Sequence, residues 1–154
     1  MTVQSPNFGL LLAPVLGQID EANRPRFLAL LERAAADRYR FWASELPLHA
    51  DALQGCAARE DEIADRVEAA FAIDEATLAT LRSFVPQARD LYYSAFDGHA
   101  ILDQIAMQAD AELQGANAWR SIAAKVSDTA VIAELARCSE LEETSSKAAR
   151  EVTQ

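Results

Sequence analysis

The stretch Leu53-Gln-Gly-Cys-Ala-Ala-Arg-Glu-Asp-Glu-Ile-Ala-Asp-Arg-Val67 is the part of the chain that best defines its fold. Its apolar residues recur every three or four positions, which predicts an α-helix with one buried face. Glu60 lies on that face, between Cys56 and Ile63, where a bulky apolar residue is usual. Burying a carboxylate is costly unless a partner, a proton or a metal ion offsets the cost. Glu60 is therefore the first candidate for a functional residue.

The composition predicts one globular, helical domain over residues 1–154. Apolar residues make up 51% and charged residues 25% of the chain, and its many alanines favour helix over strand. The 24 acidic and 14 basic side chains give a net charge of −10, which argues against binding to nucleic acid or to an anionic membrane. The longest apolar run, residues 8–19, is roughly half the length of a membrane-spanning helix and follows no basic segment. We therefore expect a cytoplasmic protein.

Four long amphipathic helices are expected from apolar residues at spacings of three and four. They cover about residues 25–46, 49–71, 99–125 and 128–152. Short links within residues 25–73 and within residues 99–152 predict two antiparallel helical hairpins. Packing these hairpins together gives an all-α four-helix bundle.

The two remaining segments are expected to be less regular. Residues 1–24 contain Gly9, Pro14 and Gly17, which predict an irregular apolar strap on the bundle or on a partner subunit. Residues 74–98 form a long, partly helical crossover between the hairpins. Asp74 is its expected helix cap, and Pro86 is expected to break that helix after about residue 84.

The remaining cysteine and aromatic residues are expected to be structural. Cys56 and Cys138 lie on the apolar faces of different helices, which favours buried free thiols and leaves open an approach between them. Five aromatic residues recur at helical spacing and are expected in the core. They are Tyr39, Phe41, Trp42, Phe71 and Trp119.

The two halves of the chain resemble each other. Phe41-Trp42, late in the first long helix, corresponds to Ala118-Trp119 in the third, and each pair is followed by a helix with an acidic residue at core depth. On this pattern, residues 25–150 resemble the ferritin-like superfamily, in particular its rubrerythrin-type members. The resemblance implies a Glu from each of two helices and a Glu-x-x-His from each of the other two. Together these residues would hold a pair of iron or manganese ions.

Carried onto this sequence, the resemblance implies three metal-site carboxylates, Glu60, Glu112 and Glu142. The first long helix has Ala35 at its ligand position, so no fourth carboxylate is expected there. Arg38, one turn after Ala35, could turn inward and pair with the three acids in the space that Gly115 leaves.

The histidine positions of the implied motif are also changed. Ile63 stands where the histidine after Glu60 is expected, and Ser139 and Glu142 stand where the second Glu-x-x-His is expected. Only His49 and His99 occur in the chain, and we expect both at the surface or at helix ends.

These departures favour a ferritin-like protein that has lost its metals and needs no cofactor. Such a protein would have a non-enzymatic structural, interaction or ligand-binding role, as a homodimer with space for a small apolar ligand. The alternative is a carboxylate-rich di-iron or di-manganese oxidase or hydroxylase, which would use the three glutamates and one shifted ligand. Asp110, Glu143 and His99 are the candidates for that ligand.

Overall fold

A computed structural model describes residues 3–154, which contain six α-helices and no β-strand. The helices are α1 (Phe8–Leu16), α2 (Arg24–Glu45), α3 (Ala50–Ala70), α4 (Glu75–Ser94), α5 (Ile101–Ala123) and α6 (Thr129–Val152). The all-α prediction is confirmed. The four long predicted helices correspond to α2, α3, α5 and α6, with boundaries that differ by one or two residues.

The first helix replaces the expected irregular strap. The Asn7 side chain caps α1 by accepting a hydrogen bond from the Leu10 backbone N–H, and Phe8 and Val15 share its buried face. Pro14 lies on the exposed side, where water can solvate the carbonyl group that the proline ring leaves unpaired. A capped, two-turn helix with a buried face therefore forms in spite of its proline.

Helix α4 also continues through its proline. Asp74 caps the helix as predicted, by accepting a hydrogen bond from the Thr77 backbone N–H at 2.7 Å. The predicted break at Pro86 is wrong, because Pro86 lies on the exposed face while Leu81 and Ala88 hold the helix to its neighbours. Residues 75–94 are therefore one helix rather than two segments.

Replacing Pro86 by alanine is expected to stabilise the protein by about 1–2 kcal/mol. A proline in a helix interior costs about 3 kcal/mol relative to alanine, and the gain is reduced because alanine makes the unfolded chain more flexible. Urea unfolding followed by circular dichroism measures the difference. A lower unfolding midpoint for Pro86→Ala would show that the proline ring itself stabilises α4.

The long helices pack in pairs around one interior. Helix α2 lies against α3, α5 lies against α6, and α3 lies against α6. Helices α1 and α4 pack on each other, and they contact the long helices through α5 and α2, respectively. They therefore cover the interior on the side of α2 and α5. None of the helices in residues 3–154 has the length and apolar composition that crossing a bilayer requires.

Most of the predicted core residues are buried. Tyr39, Trp42 and Trp119 are almost fully buried, and both cysteines are buried free thiols. Phe41 is an exception, since 44% of it is exposed. A residue next to the inward-facing Trp42 on a helix points about 100° away from it, so Phe41 lies outside the core.

Candidate metal centre

Four glutamates converge in the interior between the long helices, one from each helix. Glu32 comes from α2, Glu60 from α3, Glu112 from α5 and Glu142 from α6. Oxygen atoms of Glu32, Glu60 and Glu142 lie within 4.8 Å of one another, and Glu112 lines the same cavity. The three carboxylates predicted from the sequence are therefore brought together, and a fourth joins them.

Glu32 is the candidate ligand that the prediction from sequence missed. Spacing from the Phe41-Trp42 pair pointed to Ala35, but the carboxylate lies one helical turn earlier. Residues three apart lie on the same helix face, so Glu32 points into the same interior as Ala35 and Tyr39. One sequence signal could have identified Glu32. It is an acidic residue three positions before the expected ligand position, on the helix face that also carries the buried aromatic residues.

Gly115 provides the room that Glu142 occupies. A Cβ atom added at Gly115 would lie 2.6 Å from Oε1 and 3.0 Å from Cδ of Glu142. The Glu142 carboxylate is thus packed directly on the backbone of α5. From the sequence, the space at Gly115 could have admitted Arg38; the Glu142 carboxylate fills it instead.

Arg38 is directed away from the four glutamates. Its guanidinium group donates a hydrogen bond to Oε1 of Gln104 at 2.8 Å and lies about 5 Å from the rings of Phe41 and Tyr93. Stacking against aromatic faces and one amide contact hold it near the end of α2. No charge on Arg38 therefore offsets the buried carboxylates.

No N–H or hydroxyl group in the part of the chain that the structure describes donates a hydrogen bond to the Glu60 carboxylate, and its polar neighbours are the other carboxyl groups of the centre. The residue is 1% exposed, and both of its oxygens are buried and unpaired. A buried carboxylate without a donor is strongly destabilising unless it takes up a proton or coordinates a metal ion. Because of this energetic cost, Glu60 is the residue that most clearly indicates that the centre takes up a proton or binds a metal cation.

Two of the other glutamates are held by hydrogen bonds from neutral side chains. Oε1 of Glu112 accepts hydrogen bonds from the Tyr39 hydroxyl at 2.7 Å and from Nε2 of Gln108 at 2.6 Å. The Trp119 indole N–H donates to Oε1 of Glu142 at 3.0 Å. Such bonds orient carboxylates as outer-shell residues orient metal ligands, and they leave other carboxylate oxygens free.

Burial and mutual repulsion raise the pKa values within the centre. Burial raises the pKa of Glu32 from 4.5 to about 7, and the charge of Glu112 adds to the shift. Burial also raises the pKa values of Glu60 and Glu142 well above 4.5, with repulsion from the neighbouring glutamates as the second cause. Without a metal ion, the centre therefore favours proton uptake.

The stability of the metal-free protein is expected to fall as the pH rises from about 4.5 to about 7. Glu32 keeps its proton to a higher pH in the folded protein than in the unfolded chain, because folding raises its pKa from 4.5 to about 7. The resulting stabilisation of the folded protein is complete below about pH 4.5 and is lost as the pH rises to about 7. Urea unfolding at several pH values in the presence of a chelator measures this slope. Glu32→Gln should make the slope less steep without removing it, because Glu60 and Glu142 also have raised pKa values. A wild-type stability that increases over this range would contradict the argument.

The four-glutamate centre fits a hard cation. Carboxylate oxygens suit magnesium, calcium and manganese, whereas softer metals prefer imidazole or thiolate ligands. Two divalent ions would balance four carboxylate charges. No histidine lies among the residues that line the cavity, so the donors available there are carboxylate oxygens, with a few amide and hydroxyl groups.

The residues proposed as shifted ligands lie elsewhere. Asp110 pairs with Arg150, Glu143 pairs with Arg120, and His99 is exposed. The expectation that one of them completes the site is therefore wrong, because Glu32 supplies the fourth carboxylate. Ile63 is fully buried at the position where the resemblance implies a histidine.

A cavity of about 450 Å³ adjoins the carboxylates. Its walls come mainly from apolar residues of α1, α2 and α5, and the four glutamates lie at its inner end. Cavities of about 300–1,000 Å³ are typical of small-molecule sites. The centre is therefore accessible to a small molecule in spite of its burial.

Gly115→Ala is expected to impair metal binding while changing stability little. The added methyl group must displace the Glu142 carboxylate, whereas the gain in helix propensity of about 1 kcal/mol offsets part of the cost. The measurement is the metal content after manganese loading and desalting. Gly55→Ala is the matched control, since its Cβ would only contact the Arg59 side chain at 3.6 Å. Equal metal content in both variants would show that Glu142 is not a ligand.

Comparison with known proteins does not assign a function to the chain, so the functional argument rests on the geometry of the four-glutamate centre. No protein-family model, curated protein or solved structure matches the chain.

Proposed function

We propose that the chain is a ferritin-like four-helix bundle protein that binds iron or manganese and acts as an oxidase or hydroxylase. The observation that carries this proposal is the set of four glutamates that line one interior cavity, one from each long helix, of which Glu60, Glu112 and Glu142 are buried and Glu60 receives no hydrogen bond from an N–H or hydroxyl donor. A protein that had lost its metals would be expected to lose such costly residues as well. The homodimer and the cytoplasmic location stay predictions.

In this proposal, Glu32, Glu60, Glu112 and Glu142 hold the ions. Bound iron or manganese would supply the electron transfer to dioxygen that amino-acid side chains cannot supply. The protein's own contribution is to position the carboxylates and to exclude water. Tyr39 and Trp119 hold two of the carboxylates by hydrogen bonds, and the apolar cavity provides a route for a small molecule.

Oxygen consumption after anaerobic loading with iron(II) tests the proposal. The wild-type protein should consume dioxygen in proportion to its bound iron, as recorded with an oxygen electrode. Glu60→Gln should lose this consumption, whereas Glu140→Gln should keep it because Glu140 is an exposed residue of α6 paired with Arg137. Consumption that is equal for both variants, or explained by free iron, would contradict the proposal.

A non-enzymatic role is the second candidate, and Ile63 favours it. Its side chain fills the position of an expected histidine ligand, so the centre lacks the nitrogen donors that the resemblance implies. In this case the bundle would retain metal ions without consuming dioxygen. Metal content and oxygen consumption, measured on the same sample, distinguish the two functions.

A further inference from the structure

The residues that line the cavity beside the four glutamates are polar at the rim, mainly apolar along the walls and acidic at the inner end. Its rim carries exposed polar residues, namely Asn7 at the start of α1 and Asn117 and Ser121 on α5. Its walls are apolar and include Leu12 and Leu28. A molecule that fills it would therefore contact hydrocarbon over most of its length and meet the carboxylates at the inner end.

The charges around the cavity select against an ionised ligand. No lysine, arginine or histidine lines it, whereas four glutamates do. A fatty acid or another anion would find no positive side chain to offset the loss of its hydration. Once the carboxylate charges are balanced by bound cations, an ammonium group would find no excess negative charge.

We propose that this cavity is the binding site for an uncharged, mainly aliphatic molecule, such as a medium-chain alcohol. The volume of about 450 Å³, the apolar walls and the absence of a basic lining residue carry the assignment. Naming this molecule as the substrate rests on the proposed oxidase function. The proposal that the molecule binds does not rest on the oxidase function, because the cavity is formed by the protein alone.

The test measures binding of n-decanol and of decanoate to the metal-free 154-residue chain by isothermal titration calorimetry. We expect one n-decanol per chain and decanoate binding weaker by about tenfold or more. Lack of n-decanol binding, or equal affinity for decanoate, would overturn the proposal. Because no metal is present, either result is independent of whether the protein proves to be an oxidase.

Two variants locate the site. Ala118→Phe places an aromatic ring in the cavity from α5 and should weaken n-decanol binding by about tenfold or more, whereas Ala58→Phe on the exposed face of α3 should leave it unchanged. Circular dichroism establishes that each variant folds. Ser121→Trp, at the exposed rim, gives the same test without a change in the interior. Unaltered binding in both cavity variants would place the ligand elsewhere and overturn the proposal.

Discussion

Manganese(II) at about 100 times its dissociation constant is expected to raise the free energy of unfolding by about 3 kcal/mol, equivalent to roughly 6–10 °C in unfolding temperature. The folded protein brings four carboxylates together, whereas the unfolded chain separates them and binds the ion far more weakly. Differential scanning calorimetry with and without manganese measures the shift.

Glu60→Gln should abolish most of this stabilisation. The amide is similar in size to the carboxylate but cannot supply its charge, so the variant changes the centre without opening a cavity. Glu140→Gln is the matched control, because Glu140 lies at the surface of α6. A manganese effect of equal size in both variants would mean that the ion binds outside the interior.

Glu60→Met is expected to stabilise the metal-free protein by about 2 kcal/mol at pH 8. Methionine has nearly the volume of glutamate and removes a buried carboxylate whose two oxygens have no partner. Replacing buried charged groups by apolar residues of similar volume often stabilises proteins by about 1–4 kcal/mol. The same variant should lose manganese binding, as expected where stability has been traded for function.

Urea unfolding in the presence of a chelator measures this effect. Glu140→Met serves as the control, since an exposed glutamate gains little from such a replacement. A loss of stability in Glu60→Met would show that the carboxylate is already satisfied inside the folded protein, and the centre would then need no cation.

The sequence predicted the all-α class and the four long helices well because helical periodicity directly reports which residues face the interior. It placed Glu60, Glu112 and Glu142 on buried faces, and the structure brings all three together. It missed Glu32 because periodicity identifies a face but not the depth along the helix axis. A ligand displaced by one turn keeps its direction, and the carboxylates of the neighbouring helices can still reach it.

The remaining errors have local causes. Pro14 and Pro86 were expected to prevent or end helices, but both lie on exposed faces, where water can solvate the carbonyl groups that lack a helical hydrogen bond. The sequence left open whether Arg38 pairs with the acids; the aromatic rings of Phe41 and Tyr93 and a hydrogen bond to Gln104 hold it outside the centre. For Arg38, the contacts with Gln104 and Tyr93 come from residues distant in the sequence, which helical periodicity does not report.

The most direct test of the central claim is an anomalous diffraction map of manganese-soaked crystals, recorded near the manganese absorption edge. The account predicts a peak in the interior, within about 2.5 Å of oxygens from Glu32, Glu60, Glu112 or Glu142. A map with no interior peak at saturating manganese, and with the four carboxyl groups hydrogen-bonded to one another instead, would contradict it.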